Sequence, residues 1–171
     1  MPSTETHFDL TSNDGVPIEA HRWQGPTQRA VSQLAHGMGL VDDMALLSRH
    51  VRGVHPGLPL ILLGHSMGSF ATQYYLVKHS DLLSGAVLSG TSALDLLGGA
   101  LQSGFKLEDM NAALPDVRTP FDWLSRDAAQ VDAYIADPLC GFTVSAEGMG
   151  SMFAGLAELE PAAMQSRIRP D

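Results

Sequence analysis

Gly64-His65-Ser66-Met67-Gly68 is the stretch whose residue types and spacing point most directly to chemistry. The pattern G-x-S-x-G places a serine on a very sharp strand-to-helix turn. There the backbone is strained and the hydroxyl stands clear above a sheet, and small residues two before and two after let strand and helix approach. Taken alone the pattern is weak. Its setting sharpens it, because Leu58-Pro59-Leu60-Ile61-Leu62-Leu63 reads as a buried strand before Gly64 and a helical pattern follows Ser66. Ser66 is therefore the candidate nucleophile, with Gly64 and Gly68 as the elbow glycines. An earlier segment, His36-Gly37-Met38-Gly39, sits where a loop could lend one backbone N–H to a developing oxyanion. Met67, the residue after the serine, would lend the other.

Elements must hold these residues in place, and the first ninety positions supply them. Residues 7–23 read as a hairpin. Phe8 and Leu10 alternate with polar neighbours, Asn13-Asp14-Gly15 makes the turn, and Val16, Ile18 and Ala20 alternate on the return. A third strand over 30–35 runs into the His36 loop. Val41, Met44, Leu47 and Val51 form one helical stripe over 41–52. Asp42 and Asp43 stand in its first turn, Arg49, His50 and Arg52 in its last, and Gly53 is expected to end it. A second helix is expected over 67–79, and Gly85-Ala86-Val87-Leu88 reads as a further buried strand. Strand, helix and strand in this order form a βαβ unit, so the class is α/β with a mostly parallel sheet and an N-terminal hairpin.

Beyond Gly90 only helical patterns and loops are found. Leu94, Leu97 and Leu101 suggest a weak helix broken by Gly98-Gly99. Thr119-Pro120-Phe121-Asp122 has capping-box spacing. Residues 127–136 carry Val131, Tyr134 and Ile135 on one face. Residues 145–159 carry Met149, Met152, Phe153, Leu156 and Leu159 at helical spacing. The division expected is a core over 1–90 and a helical cap over 91–171. Met149, Met152 and Phe153 are candidates for an acyl pocket, since methionine adapts to flexible chains. A helix simply packing on its neighbours explains them as well.

The composition narrows the partners. Of 171 residues 44% are hydrophobic and 17% charged, as in a globular chain, and ten Lys and Arg against nineteen Asp and Glu give a net charge of −9. An acidic chain without a basic cluster argues against a nucleic-acid surface. No apolar run is long enough to span a membrane. The first residues lack the pattern of a signal peptide, so a cytoplasmic protein is expected. One cysteine, Cys140, excludes an internal disulfide and a cysteine-rich zinc site. No histidine pair has metal-site support, so neither metal nor other cofactor is expected.

Ala35-His36-Gly37-Met38-Gly39 and Leu62-Leu63-Gly64-His65-Ser66-Met67-Gly68-Ser69 resemble the monoacylglycerol lipase/lysophospholipase-like group of α/β hydrolases, also filed with serine aminopeptidases. Ala86-Val87-Leu88-Ser89-Gly90-Thr91 resembles that group's strand after the nucleophile helix. Asp122-Trp123-Leu124-Ser125-Arg126-Asp127, Val131-Asp132-Ala133-Tyr134 and Asp137-Pro138-Leu139-Cys140-Gly141 resemble its cap. The resemblance implies an α/β-hydrolase fold and a small lipid-like ester substrate. Ser66 would attack the ester carbonyl while the Met38 and Met67 N–H groups hold the oxyanion.

The resemblance also implies parts that this sequence does not carry. Members of the group have a helix, a central strand and a D-x-R-G-x-G loop between the His36-type loop and the helix beginning here at Val41. After the cap they continue with strands and helices that bring the catalytic aspartate and histidine. The expected fold is thus an incomplete one. All seven histidines lie at or before position 79. His65 adjoins Ser66, but neighbouring side chains on a sharp turn diverge, so a bracing role is expected for it. Asp95, shortly after the Ser89 strand, has no late histidine to orient and reads as a solvated cap residue. Two other readings remain open: a catalytically dead descendant that binds a lipid or a partner protein, and the same fold hydrolysing peptides or amides.

Overall fold

The structure is a computed structural model. It describes residues 4–12, 15–24, 31–35, 41–93, 96, 99, 103–104, 106–138, 140–141 and 166–168. Strands β1 (Thr4–Thr11) and β2 (Pro17–Gln24) form an antiparallel hairpin in the register Thr4↔Gln24 to Thr11↔Pro17. Its turn is fixed at Ser12, whose hydroxyl accepts from the Val16 N–H at 2.8 Å, and at Gly15, whose φ of 87° suits glycine. Phe8 and Leu10 are half-buried and Ala20 is buried, as the alternation requires. Val16 is not on the strand: it belongs to the turn and is exposed.

Three parallel strands carry the rest of the sheet, in the order β3 (Val31–Ala35), β4 (Leu60–His65), β5 (Gly85–Ser89). Leu62 pairs with Gln33 on one side and Ala86 on the other. β4 starts at Leu60 rather than Leu58, since Pro59 has no N–H for a ladder. Among the described strands, β2 and β3 are not neighbours. The hairpin and the parallel sheet stand as two separate sheets. This is where the resemblance implies an additional central strand.

Helix α1 (Val41–Val54) runs two residues past its expected end, because one glycine near a helix terminus is tolerated at a cost of about 1 kcal/mol. Its buried face is Val41, Met44, Ala45 and Ser48, with Leu47 and Val51 only half-buried. The small residues Ala45 and Ser48 make room for helix α2 (Met67–His79). Tyr75 of α2 is fully buried and donates to Ser48 Oγ at 2.8 Å, while Ser48 donates to the Met44 carbonyl at 2.8 Å. Burial pushes the Tyr75 hydroxyl above its ordinary pKa, against the Ser48 bond. Val41, Met44, Ala45, Leu60, Leu62, Ala71, Tyr75 and Leu83 make one core between these helices and β4.

β5 differs from its expected burial. Gly85 is half-buried, but 86–89 are exposed, with Val87 at 47% and Leu88 at 37%. An apolar run states what a strand would bury, not whether a neighbour covers it. Here β5 is the edge of the described sheet.

Past β5 the described residues include 3₁₀ turns, loops and helical segments. Leu96 and Gly99 are helical where a weak helix was expected. The capping-box segment forms only a one-turn 3₁₀ helix, Asp122–Leu124, but its bonds are made. Asp122 accepts from Thr119 Oγ1 at 2.7 Å, from the Thr119 N–H at 2.9 Å and from the Arg118 N–H. The Thr119 hydroxyl above all, then those backbone groups and the Arg118 charge, hold its carboxyl below the usual range despite partial desolvation. Helix α3 (Ala128–Ala136) is capped by Asp127, which accepts from the Ala129 N–H at 2.9 Å. The expected helix over 145–159 lies outside the described residues.

Candidate functional site

The site begins with a steric demand at Gly64. A Cβ there would lie 2.3 Å from Thr72 Oγ1, 2.5 Å from the Gly68 carbonyl oxygen and 2.9 Å from Ser69 Cα. Two of these three atoms are backbone, so nothing larger than glycine fits. The last turn of β4 and the first of α2 are thus pressed together. The chain must reverse within Ser66, which takes φ 52° and ψ −124°. It is the one non-glycine residue with positive φ among the described residues. Such a conformation costs on the order of 1–3 kcal/mol and persists only where the surroundings over-determine it.

Several bonds fix it. The Ser66 N–H donates to the Ser89 carbonyl at 2.9 Å, extending the parallel ladder by one step. The Ser66 carbonyl accepts from the Ser69 N–H at 2.9 Å and from Ser69 Oγ at 2.6 Å. Ser66 stands at the N-cap of α2, where a serine in extended conformation would bond the helix start through its hydroxyl. The positive φ removes that option: the Ser66 side chain makes no capping bond. Met67 is the first residue of α2, so its N–H belongs to the helix-start donors with no intrahelical carbonyl. A hydroxyl and an N–H that no described residue occupies, at the positive end of a helix dipole, form an arrangement suited to nucleophilic attack on a carbonyl.

Among the described residues no side chain hydrogen-bonds Ser66 Oγ. His65 points its Nδ1 to Ser89 Oγ at 3.2 Å, not to Ser66. Tyr75 and His79 rings meet on the far part of α2, and His79 Nε2 lies 3.7 Å from Asp42 Oδ1. His7 and His21 pair on the hairpin. Met38, Met149, Met152 and Phe153, like Asp95 and His36, lie outside the described residues. Of the candidates, the structure brings together Gly64, Ser66, Met67 and Gly68.

Sequence reasoning missed the grip on the loop after β5. Gln73 Nε2 donates to Thr91 Oγ1 at 3.0 Å and to the Ser92 carbonyl at 2.9 Å. These partners are eighteen and nineteen residues apart, and no local pattern announces them. A cleft of about 360 Å³ lies between the hairpin and α1, beside Phe8, Arg22, His50, Val51, Val54 and His55. None of its lining residues belongs to the elbow. Among the described residues no group of three or more His, Cys, Asp or Glu side chains is arranged to hold a metal ion.

Comparison with known proteins follows the same lines. The chain is 29% identical over 153 residues to a monoacylglycerol lipase from Mycolicibacterium smegmatis, covering 82% of this chain. It spans about half the length of that relative, 51%. Among solved structures, a highly thermostable carboxyl esterase from Bacillus coagulans, determined with glycerol, superposes with a TM-score of 0.76. The superposition covers 99% of this chain and 77% of the esterase at 19% identity, which is a likeness of fold. The family model described as serine aminopeptidase, S33, matches residues 20–169. With nearly the whole chain inside that match, and the elbow built as G-x-S-x-G demands, the chain belongs to the serine aminopeptidase S33 family and has an α/β-hydrolase fold, here an incomplete one.

Proposed function

We propose that this chain is the nucleophile-bearing part of a serine carboxyl-ester hydrolase acting on monoacylglycerol or lysophospholipid-like esters. The observation that carries the reading is Ser66 at φ 52° with its hydroxyl released from helix capping. The monoacylglycerol lipase relative supports the substrate class. In this reading Ser66 Oγ attacks the ester carbonyl carbon, and the carbonyl electrons move onto oxygen. The Met67 and Met38 N–H groups hold that oxyanion. Collapse expels the alcohol and leaves an acyl-serine, which water then hydrolyses. A base must take the serine proton and return it to the leaving alcohol. The family resemblance assigns this to a histidine oriented by an aspartate, both from segments following the cap.

Residues 1–90 serve as core and 91–171 as helical cap, with Met149, Met152 and Phe153 as candidates for the acyl pocket. A cytoplasmic location is part of the same reading. Among the described residues, no helix is long and apolar enough to cross a membrane.

A second reading has one observation in its favour. No described side chain bonds Ser66 Oγ, which suits a catalytically dead descendant that binds a lipid or a partner protein. A chimera decides between them. The half of the mycobacterial relative that this chain does not span is joined to it, and the product is treated with a fluorophosphonate and with monoacylglycerol. Labelling and turnover, both lost in Ser66→Ala, are expected. A folded chimera that neither labels nor hydrolyses would favour the binding reading.

A further inference from the structure

Of the four residues from Ser89 to Ser92, three are held against the elbow or α2 by hydrogen bonds, and Gly90 lies close against the His65 ring. The Ser89 carbonyl takes the Ser66 N–H, and the Ser89 hydroxyl takes part in a bond with His65 Nδ1 at 3.2 Å. Either histidine tautomer satisfies this bond, since a hydroxyl both donates and accepts. Gly90 has φ 56°, and a Cβ on it would stand 3.2 Å from the His65 ring. Glycine thus keeps that ring where Ser89 can reach it. Thr91 and Ser92 are bonded by the Gln73 amide. Ser89, Gly90 and Thr91 are exposed, so no apolar burial fixes this segment.

We propose that Ser89–Ser92 is a strap whose grip by His65 and Gln73 keeps Ser66 in its left-handed conformation, making His65 and Gln73 positioning residues for the nucleophile. The role of Ser66 as nucleophile is the reading above; the strap itself is a matter of backbone geometry and is tested without catalysis. The Ser66 carbonyl is pinned from α2 by Ser69, but the Ser66 N–H has one acceptor, the Ser89 carbonyl. If the strap lifts, that bond opens and the turn can relax.

The test is amide hydrogen exchange by NMR on the whole chain. Ser89→Ala deletes one hydroxyl, Gln73→Leu removes the latch, and a third variant combines them. Each single change is expected to speed Ser66 amide exchange roughly fivefold, the effect of losing about one hydrogen bond. The double variant should exceed either, while the Leu62 and Tyr75 amides keep their rates. His65→Asn, which can offer a polar atom near the Nδ1 position, should hold Ser66 close to wild type; His65→Leu should not. A Ser66 amide that exchanges unprotected in the wild type, or at wild-type rate in the double variant, overturns the proposal. So does acceleration shared equally by Leu62 and Tyr75, which would mark a general structural role. Absence of fluorophosphonate labelling in the folded chimera would count against the nucleophile and leave these rates as they are.

Discussion

Gly64 and Ser66 divide the work of the elbow: one makes the close approach possible, the other bears the strain. Gly64→Ala sets a methyl 2.5 Å from the Gly68 carbonyl oxygen and 2.9 Å from Ser69 Cα. Backbone must move, so a loss of about 2–4 kcal/mol is expected in urea unfolding. Ser66→Gly should act in the opposite direction. It relieves a positive φ that costs about 1–3 kcal/mol and gives back about 0.5–1 in unfolded-chain entropy, for a net gain near 1 kcal/mol. Ser66→Ala keeps the strain and should leave the urea midpoint nearly unchanged. Equal midpoints for the glycine and alanine variants would refute the strain assignment. This corner was legible because the chemistry constrains residue type at fixed short spacing. His65–Ser89 and Gln73–Thr91 were not, because each joins residues brought together only by the folded sheet.

At the level of elements, α1 and α2 announced themselves through charge placement and periodicity, yet the buried face of α1 is shifted from the apolar stripe, onto Ala45 and Ser48. At its centre is the Tyr75–Ser48–Met44 chain, polar groups that a search for apolar residues passes over. Tyr75→Phe removes the buried hydrogen bond from Tyr75 to Ser48, at an expected cost of about 1–2 kcal/mol. The tyrosine also links stability to pH. Its folded pKa is raised by burial, so the unfolded chain ionises first. The contribution is whole below about pH 10 and is lost as pH rises through the folded value. Stability curves of wild type and Tyr75→Phe should converge at high pH. Asp122 has the opposite sign. Its folded pKa is lowered, so its contribution is present above about pH 3.9 and is lost as pH falls through the folded value. Asp122→Asn should remove that acid-side dependence. The covering of β5 was not legible, because burial belongs to the strand's neighbours and not to Ala86-Val87-Leu88 themselves.

For the molecule as a whole, two consequences follow from an elbow to which no described side chain brings a base, and from described strands that form two separate sheets. The first concerns activity. A serine hydroxyl is a poor nucleophile until a base takes its proton, and losing the histidine of a serine protease costs about 2 × 10⁶ in kcat. The purified chain is expected to give no Ser66-dependent turnover of p-nitrophenyl esters and no stoichiometric fluorophosphonate label. Robust values of either would mean that a base stands near Ser66 after all, with His65 and His36 the first to mutate. The second concerns cooperativity. Among the described strands the hairpin pairs only with itself, and a two-stranded hairpin is marginal by itself in water. Its ring stack of Phe8 on His50, 4.9 Å between centroids, ties it to α1 rather than to another strand. From this arrangement of the described strands, two melting units are expected where a continuous sheet would give one. Warming should release the amides of 4–24 first, with Leu60–Leu63 still protected, so that one midpoint cannot describe the unfolding. Phe8→Ala should widen the gap between the two transitions without moving the upper one.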